Sequence, residues 1–219
     1  VKTIKAAIFA LALAVLQNAV LVCAQELENT AAGLVTMNFS DLDFREFIRL
    51  CADQAGTDAL VEKSVRKKVS VSCENEPGAG LLARVAADQK LLSCAVGEVV
   101  VYYAMPFNAF RRYNGPDDYT DFLPKAAHEY RQRLSAAEGL RIDVRADDRD
   151  IREILRELAA QAGAEYRESH PVRGHIWVNL SDVPLSDAFA AIVIANGYGL
   201  RVEDGAWVIG RAESFADQD

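Results

Sequence analysis

The residue types that could do chemistry here are three histidines, four cysteines and two clusters of aspartate. His170 and His175 lie five apart across an expected turn, and His128 is distant in sequence. No thiol or carboxylate stands at ligand spacing beside them, so the pattern does not support a tetrahedral zinc site. Asp147, Asp148 and Asp150 crowd one expected helix start, and Asp41 and Asp43 crowd another. The spacing of a calcium cage is missing. Short acidic side chains at such a place serve as caps for free N–H groups and sit well at the positive end of the helix dipole. No Ser or Cys occupies a nucleophile elbow, and no Gly-rich phosphate loop follows a strand. The expectation is a protein without catalytic residues, cofactor or metal.

The remaining candidates are thiols and surfaces. Lys2 and Lys5, the apolar run Ala6 to Val22 and the sequence Val22-Cys23-Ala24 suggest a signal peptide over residues 1–24, cleaved after Ala24. Two alternatives are an uncleaved anchor, weakened by Gln17 and Asn18, and a lipoprotein acylated at Cys23, weakened by Val22. Cys51, Cys73 and Cys94 would then meet an oxidising compartment, where one pair among them could form a disulfide. Leu158 and Leu180 replace Cys51 and Cys73 in a second copy described below, which also suits plain core positions. The chain carries a net charge of −8 and no basic stripe. That excludes nucleic acid and anionic membrane surfaces as partners.

The elements that must position these residues occur twice. Residues 41–56 read DLDFREFIRLCADQAG and residues 148–163 read DRDIREILRELAAQAG, identical at nine of sixteen positions with an ungapped offset of 107. The same offset pairs Val65-Arg66 with Val172-Arg173, Val71 with Val178, Pro77 with Pro184 and Ala83 with Ala190. Modules this small are marginal by core size alone, and repeated modules more often bind than catalyse.

In the first copy Val35, Met37 and Phe39 alternate as a half-buried strand does. Ser40 or Asp41 can cap the next helix, whose Phe44, Phe47, Ile48, Cys51, Ala52 and Ala55 share one face, and Gly56 stops it. A short strand at Ala59–Val61 leads to a second at Val69–Cys73. Pro77 opens another helix, and Leu92–Val96 and Val99–Tyr103 form a hairpin around Gly97-Glu98. The second copy has a strand at Leu140–Val144, a helix burying Ile151, Ile154, Leu155 and Leu158, a strand at Ile176–Leu180, a helix from Pro184 to Asn196 and a hairpin around Asp204-Gly205. The fold class expected is α+β: two tandem β-α-β-β-α-β-β modules, each with two helices between two small β-sheets.

The pattern D-x-D-[FI]-R-E-[FI]-[IL]-R, then Q-A-G, V-R-x-x-[VI]-x-V and P-x-x-x-A, resembles the secretin and TonB short N-terminal domain (STN, secretin N0-like). The resemblance covers the first module, 34–104, and the second, 140–211. It implies two helices held between two small sheets and a docking role toward envelope proteins. Lys67 stands where the second module keeps the family's turn glycine, Gly174, and Gly78 and Gly80 weaken the second helix of the first module. No pore or barrel region is expected.

The intervening residues, 105–139, carry Phe107, Phe110 and Tyr113 and an expected helix from Phe122 to Ala137 led by Pro124. They are too apolar for a floppy linker. Trp177 alternates outward between Ile176 and Val178, and Arg152 and Arg156 lie on a polar helix face with Glu153. The candidate partner-binding residues are therefore Trp177, Arg152, Arg156, Phe107, Phe110 and Tyr113, with open strand edges beside them. The expected function is that of a periplasmic adaptor or accessory subunit in an outer-membrane secretion or TonB-linked signalling system. Its partner would be a secretin, pilus or TonB-linked component. A self-assembling ring subunit is one alternative. A small-ligand carrier or enzyme with a pocket between module and linker is the other.

Overall fold

A computed structural model describes residues 33–63, 65–104 and 118–211. The signal-like segment 1–24 and the aromatics Phe107, Phe110 and Tyr113 lie outside the described residues. The first repeat runs β1 (Leu34–Asp43), α1 (Phe44–Ala55), β2 (Asp58–Val61), β3 (Lys68–Pro77), α2 (Gly78–Asp88), β4 (Leu91–Val96) and β5 (Val99–Ala104). Helix α3 (Asp118–Arg133) and a 3-10 turn (Ser135–Ala137) follow. The second repeat is β6 (Arg141–Asp150), α4 (Ile151–Gln161), β7 (Glu165–Glu168), β8 (His175–Pro184), α5 (Leu185–Ala195), β9 (Tyr198–Glu203) and β10 (Ala206–Arg211). The mixed α+β class expected from the sequence is what the chain adopts. Each repeat builds a two-stranded sheet, β1–β3 or β6–β8, and a three-stranded one, β2-β5-β4 or β7-β10-β9. Among the described residues no helix is long and apolar enough to cross a membrane.

The strands outrun the alternation that marks them. β1 continues past Phe39 to Asp43 because its register against β3 shifts between Phe39 and Leu42, with Asp41 at φ 56°. This bulge inserts extra residues and breaks the period of two, so pattern reading stops short. β6 has its shift at the matching place, with Asp148 also at φ 56°. A second left-handed pair, Asn75 and Asp182 at φ 52°, bends β3 and β8. The amide of each donates to the same repeat position, Thr36 Oγ1 at 2.9 Å and Asp143 Oδ1 at 3.0 Å.

Helix starts obey the same duplication, one residue pair further on than Ser40 or Asp41. Asp43 accepts from the Arg45 amide at 2.9 Å, and Asp150 accepts from the Arg152 amide at 2.9 Å. Asp41 is consumed by the bulge and cannot cap. At its other end α1 stops at Gly56, φ 64°, a left-handed cap that glycine adopts without cost. Helix α3 begins at Asp118 and ends at Arg133, so Pro124 lies within it rather than leading it. The Leu134 amide is shared between the Tyr130 and Arg131 carbonyls, both at 3.2 Å, and this bifurcation turns the chain into the 3-10 segment.

The two repeats do not keep separate cores. Strand β5 reads VVVYYA and is apolar at every position, as a strand covered on both faces must be. Val100, Tyr102 and Ala104 face the first repeat's own core with Phe44, Phe47 and Leu82. Val99, Val101 and Tyr103 face the other way, into a core shared with α3 and the second repeat. Leu60 of β2 and Cys94 and Val96 of β4 join them there. The centre of that shared core is α5, ten of whose eleven residues are buried, so it has no solvent face at all.

The caps give a first test. Asp150→Ala should cost about 1 kcal/mol in urea unfolding at unchanged m-value, the usual worth of an N-cap. The Arg152 side chain, and then its backbone amide, hold the Asp150 carboxyl down to about 2. A carboxylate with a depressed folded-state pKa stabilises fully above its unfolded value and loses that contribution as pH falls. The advantage of the wild type over Asp150→Asn should therefore be complete above about pH 4 and fade toward pH 2.

Candidate functional site

The all-apolar run of α5 contains one charge, Asp187, whose side chain is only 1% exposed. A buried carboxylate is costly unless it is paired and hydrogen-bonded. Three groups from other parts of the chain meet that demand. The Glu98 amide in the β4–β5 turn donates to Oδ2 at 2.9 Å, Arg131 of α3 donates through Nε to Oδ1 at 2.5 Å, and the Ser186 hydroxyl reaches Oδ1 at 3.3 Å. Gly97, φ 62°, presses so closely that a Cβ there would overlap the carboxylate. Asp187 thus ties the first repeat, the connecting helix and the second repeat at one point. The Arg131 side chain is 40% exposed, so water weakens that half of the contact.

Around this tie the edges of β2 and β8 lie side by side without a backbone ladder, as strands of separate sheets. Side chains stitch them. The Ser181 amide donates to Asp58 Oδ1 at 2.8 Å and Asn179 Nδ2 donates to Asp53 Oδ1 at 3.3 Å. Burial pushes the Asp58 carboxyl above its usual range, and the Ser181 amide pulls the other way. Arg141 forks between Glu98 at 2.8 Å and Asp182 at 3.0 Å. The Lys63 amide donates to the Ala195 carbonyl at 3.2 Å, closing the far end of α5.

Where the stitching stops, a pocket of about 310 Å³ opens between the first turn of α1, β2 and β8. Ile48, Leu60 and Ile176 supply apolar wall, and Trp177 stands at its side, 43% exposed. Its charged rim holds Arg45, Arg49, Lys63 and Arg66 against the carboxylates of Asp43 and Glu46. Both carboxylates are engaged, Asp43 as a cap and Glu46 with Arg49 at 2.5 Å. The Arg45 guanidinium lies over the Trp177 ring at 5.5 Å and donates Nη2 to the Lys63 carbonyl, while its buried Nε has no partner. Arg66 Nη1 donates to the same carbonyl at 2.8 Å. Burial pulls Lys63 below the usual lysine range, with Glu62 opposing.

The residues singled out by sequence are scattered. Trp177 is a junction residue, covered by Arg45 of the first repeat. Arg152 turns back to its own cap, Asp150, at 2.5 Å, and Arg156 stacks over Tyr166 at 5.8 Å. Neither faces the first repeat. The equivalents of Arg152 and Glu153, Arg45 and Glu46, do line the pocket. His175 pairs with Asp148 at 3.0 Å, and His128 contacts Gln132 at 2.9 Å. Among the described residues no three His, Cys, Asp or Glu side chains gather as a metal site would require. Cys51, Cys73 and Cys94 are not bonded to one another; Cys51 and Cys94 are buried, and burial pushes the Cys51 thiol up to about 12. Asp187 escaped the sequence reading, although a lone acid in the run LSDAFAAIVIA is itself a signal of a buried polar contact.

No family model matches this chain, and no curated protein matches it. Two solved structures that it is similar to are secretins. The V. cholerae Type IV competence pilus secretin PilQ is 19% identical with a TM-score of 0.31, over 56% of this chain and 27% of that one. This chain therefore spans about a quarter of the PilQ length. The N-terminal domain of the secretin XcpQ from Pseudomonas aeruginosa is 12% identical with a TM-score of 0.29, over 74% of this chain and 99% of that one. Likenesses at these scores carry no argument about arrangement or activity.

Two measurements test the junction. Asp187→Ala should cost about 2 kcal/mol, the range for losing hydrogen bonds to a charged group whose cationic partner can turn to water. Gly97→Ala should also destabilise, and the double variant should lose clearly less than the sum of the two; additive losses would mean the residues do not touch. Native protein treated with iodoacetamide should label at Cys73 and stay unlabelled at Cys51 and Cys94, with all three labelled in urea. Failure to label two of them in urea without reductant would reveal a disulfide.

Proposed function

We propose that this chain is an exported, non-catalytic protein-interaction subunit of the bacterial envelope, serving a secretin-type secretion system or a TonB-linked signalling system. The observation that carries this reading is the duplication itself. Two copies of a short-domain-like pattern, matched from Asp41 to Gly56 and again from Asp148 to Gly163, fold into sheets too small to close on themselves. Strands β1, β3, β6 and β7 each have an edge that pairs with no other strand among the described residues. Such edges accept a partner strand through main-chain hydrogen bonds, with neighbouring side chains supplying selectivity. Because the repeats share one core, they would present these edges as a fixed set rather than as two independent modules, which favours a partner that engages both.

β7, with the sequence EYRE, is the edge best guarded against unwanted pairing, since charges discourage strand addition. β1 starts at Leu34, 64% exposed, and is the more open of the two. The test is a crosslinking pull-down of the tagged full-length chain from its native envelope, read by mass spectrometry. Recovery of a secretin, a pilus component or a TonB-linked receptor or regulator is the expected result, and it also assigns the system. Recovery of the chain alone would replace the adaptor reading by that of a ring subunit. Partners confined to the cytoplasm would sink both.

A further inference from the structure

We infer that the pocket between the repeats is a binding site for a small amphiphilic oxyanion, a carboxylate or phosphate head on a short apolar or aromatic body. Its volume of about 310 Å³ lies at the lower end of the range for small-molecule sites, roughly 300–1,000 Å³. The surroundings divide as such a ligand would require. One side is the apolar wall of Ile48, Leu60 and Ile176; the other is a rim where cations outnumber carboxylates in a chain of net charge −8.

What distinguishes this rim from an ordinary solvated surface is its unspent valence. Arg49 is matched by Glu46, but Arg45, Lys63 and Arg66 form no ion pair among the described residues. Two of the three guanidinium and ammonium groups instead crowd one neutral acceptor, the Lys63 carbonyl. Arg45 Nε is buried without any acceptor, although a buried charged donor left unsatisfied is destabilising. Lys63 is desolvated, its ammonium over the Tyr198 ring at 5.0 Å with no carboxylate in ion-pair contact. An oxyanion seated beside Arg45 would give the Arg45 and Arg66 guanidinium groups the charged acceptor they lack, with the geometry of a fork that guanidinium offers to carboxylate and phosphate. Trp177, held under Arg45, gives the body of the ligand a flat apolar surface.

The second repeat keeps Arg152, Arg156 and Arg173 at the same offset, but Arg152 is bound to Asp150, Arg156 stacks over Tyr166 and His170 replaces Lys63. The site therefore belongs to the junction rather than to the module, and it stands independently of which envelope system the chain serves.

The full-length chain is titrated with 4-phenylbutyrate, phenyl phosphate and the neutral 4-phenylbutanamide, following the two indole N–H signals by NMR. Trp177→Phe assigns them. The Trp177 signal should shift saturably with at least one of the two anions, while Trp207, buried in the shared core, stays in place. The two anions separate carboxylate from phosphate recognition. Affinity should fall about tenfold or more for the amide, and likewise in Arg45→Gln and Lys63→Gln, as expected for loss of a charged hydrogen bond. Arg66→Gln, at the rim and remote from the shared core, and raised salt should both weaken binding without any change in fold. Equal affinity for the amide, wild-type affinity in all three variants, or no saturable shift up to about 10 mM would each overturn the assignment.

Discussion

Helix α5 is buried around its whole circumference, and everything else about the arrangement answers to that fact. A helix with no polar face must be enclosed on all sides. The second repeat alone offers α4 and its own sheets. The remaining sides are closed by β5 and its neighbours from the first repeat, by Ala126, Ala127 and Tyr130 of α3, and by Leu134 just after it. Asp187 then fixes the rotation and depth of the helix within that enclosure, because its carboxylate finds its donors at one place only. Apolar burial supplies the drive and one charged contact supplies the register.

Duplication made the two repeats alike in backbone and left them free to differ in side chain. The bulges survive in both copies at Asp41 and Asp148 and again at Asn75 and Asp182, all left-handed positions that Asp and Asn tolerate better than most residues. The divergence is concentrated where the repeats face each other. At the start of α2 stands Gly78, where a Cβ would collide with Ala55; its counterpart in α5 is Leu185, fully buried. Gly80, with open space before it, corresponds to Asp187. Helix α2 packs on one face, as an ordinary surface helix does, whereas α5 was remade into a core element.

Much of this was legible in the residues. Periodicity located most of the strands and helices and the offset of 107 placed their counterparts, because local patterns repeat when local backbone does; β7, reading EYRE, has no apolar alternation to find. Three things escaped for physical reasons. The left-handed residues at the bulges interrupt alternation, so β1 and β6 read shorter than they are. The capping role fell to Asp43 rather than to Ser40 or Asp41, since two acids so near each other are equivalent on paper and only the bulge separates them. The pocket could not be read, because Arg45, Lys63 and Trp177 lie far apart in the chain and meet only when the edges of β2 and β8 come together. The shared core also went unread, although the continuous apolar run of β5 and the nearly continuous one of α5 carry its signal, since an element buried on every side has no reason to alternate.

The two-faced sheet β2-β5-β4 has a bearing on how the chain can be handled. Severed from its sibling, the first repeat would show water a flat row of Leu60, Val99, Val101 and Tyr103 on a sheet with open edges, the surface on which aggregation begins. An expression clone of that half alone is thus a poor reagent. By the same reasoning, a module of this kind standing alone would need polar residues on this face.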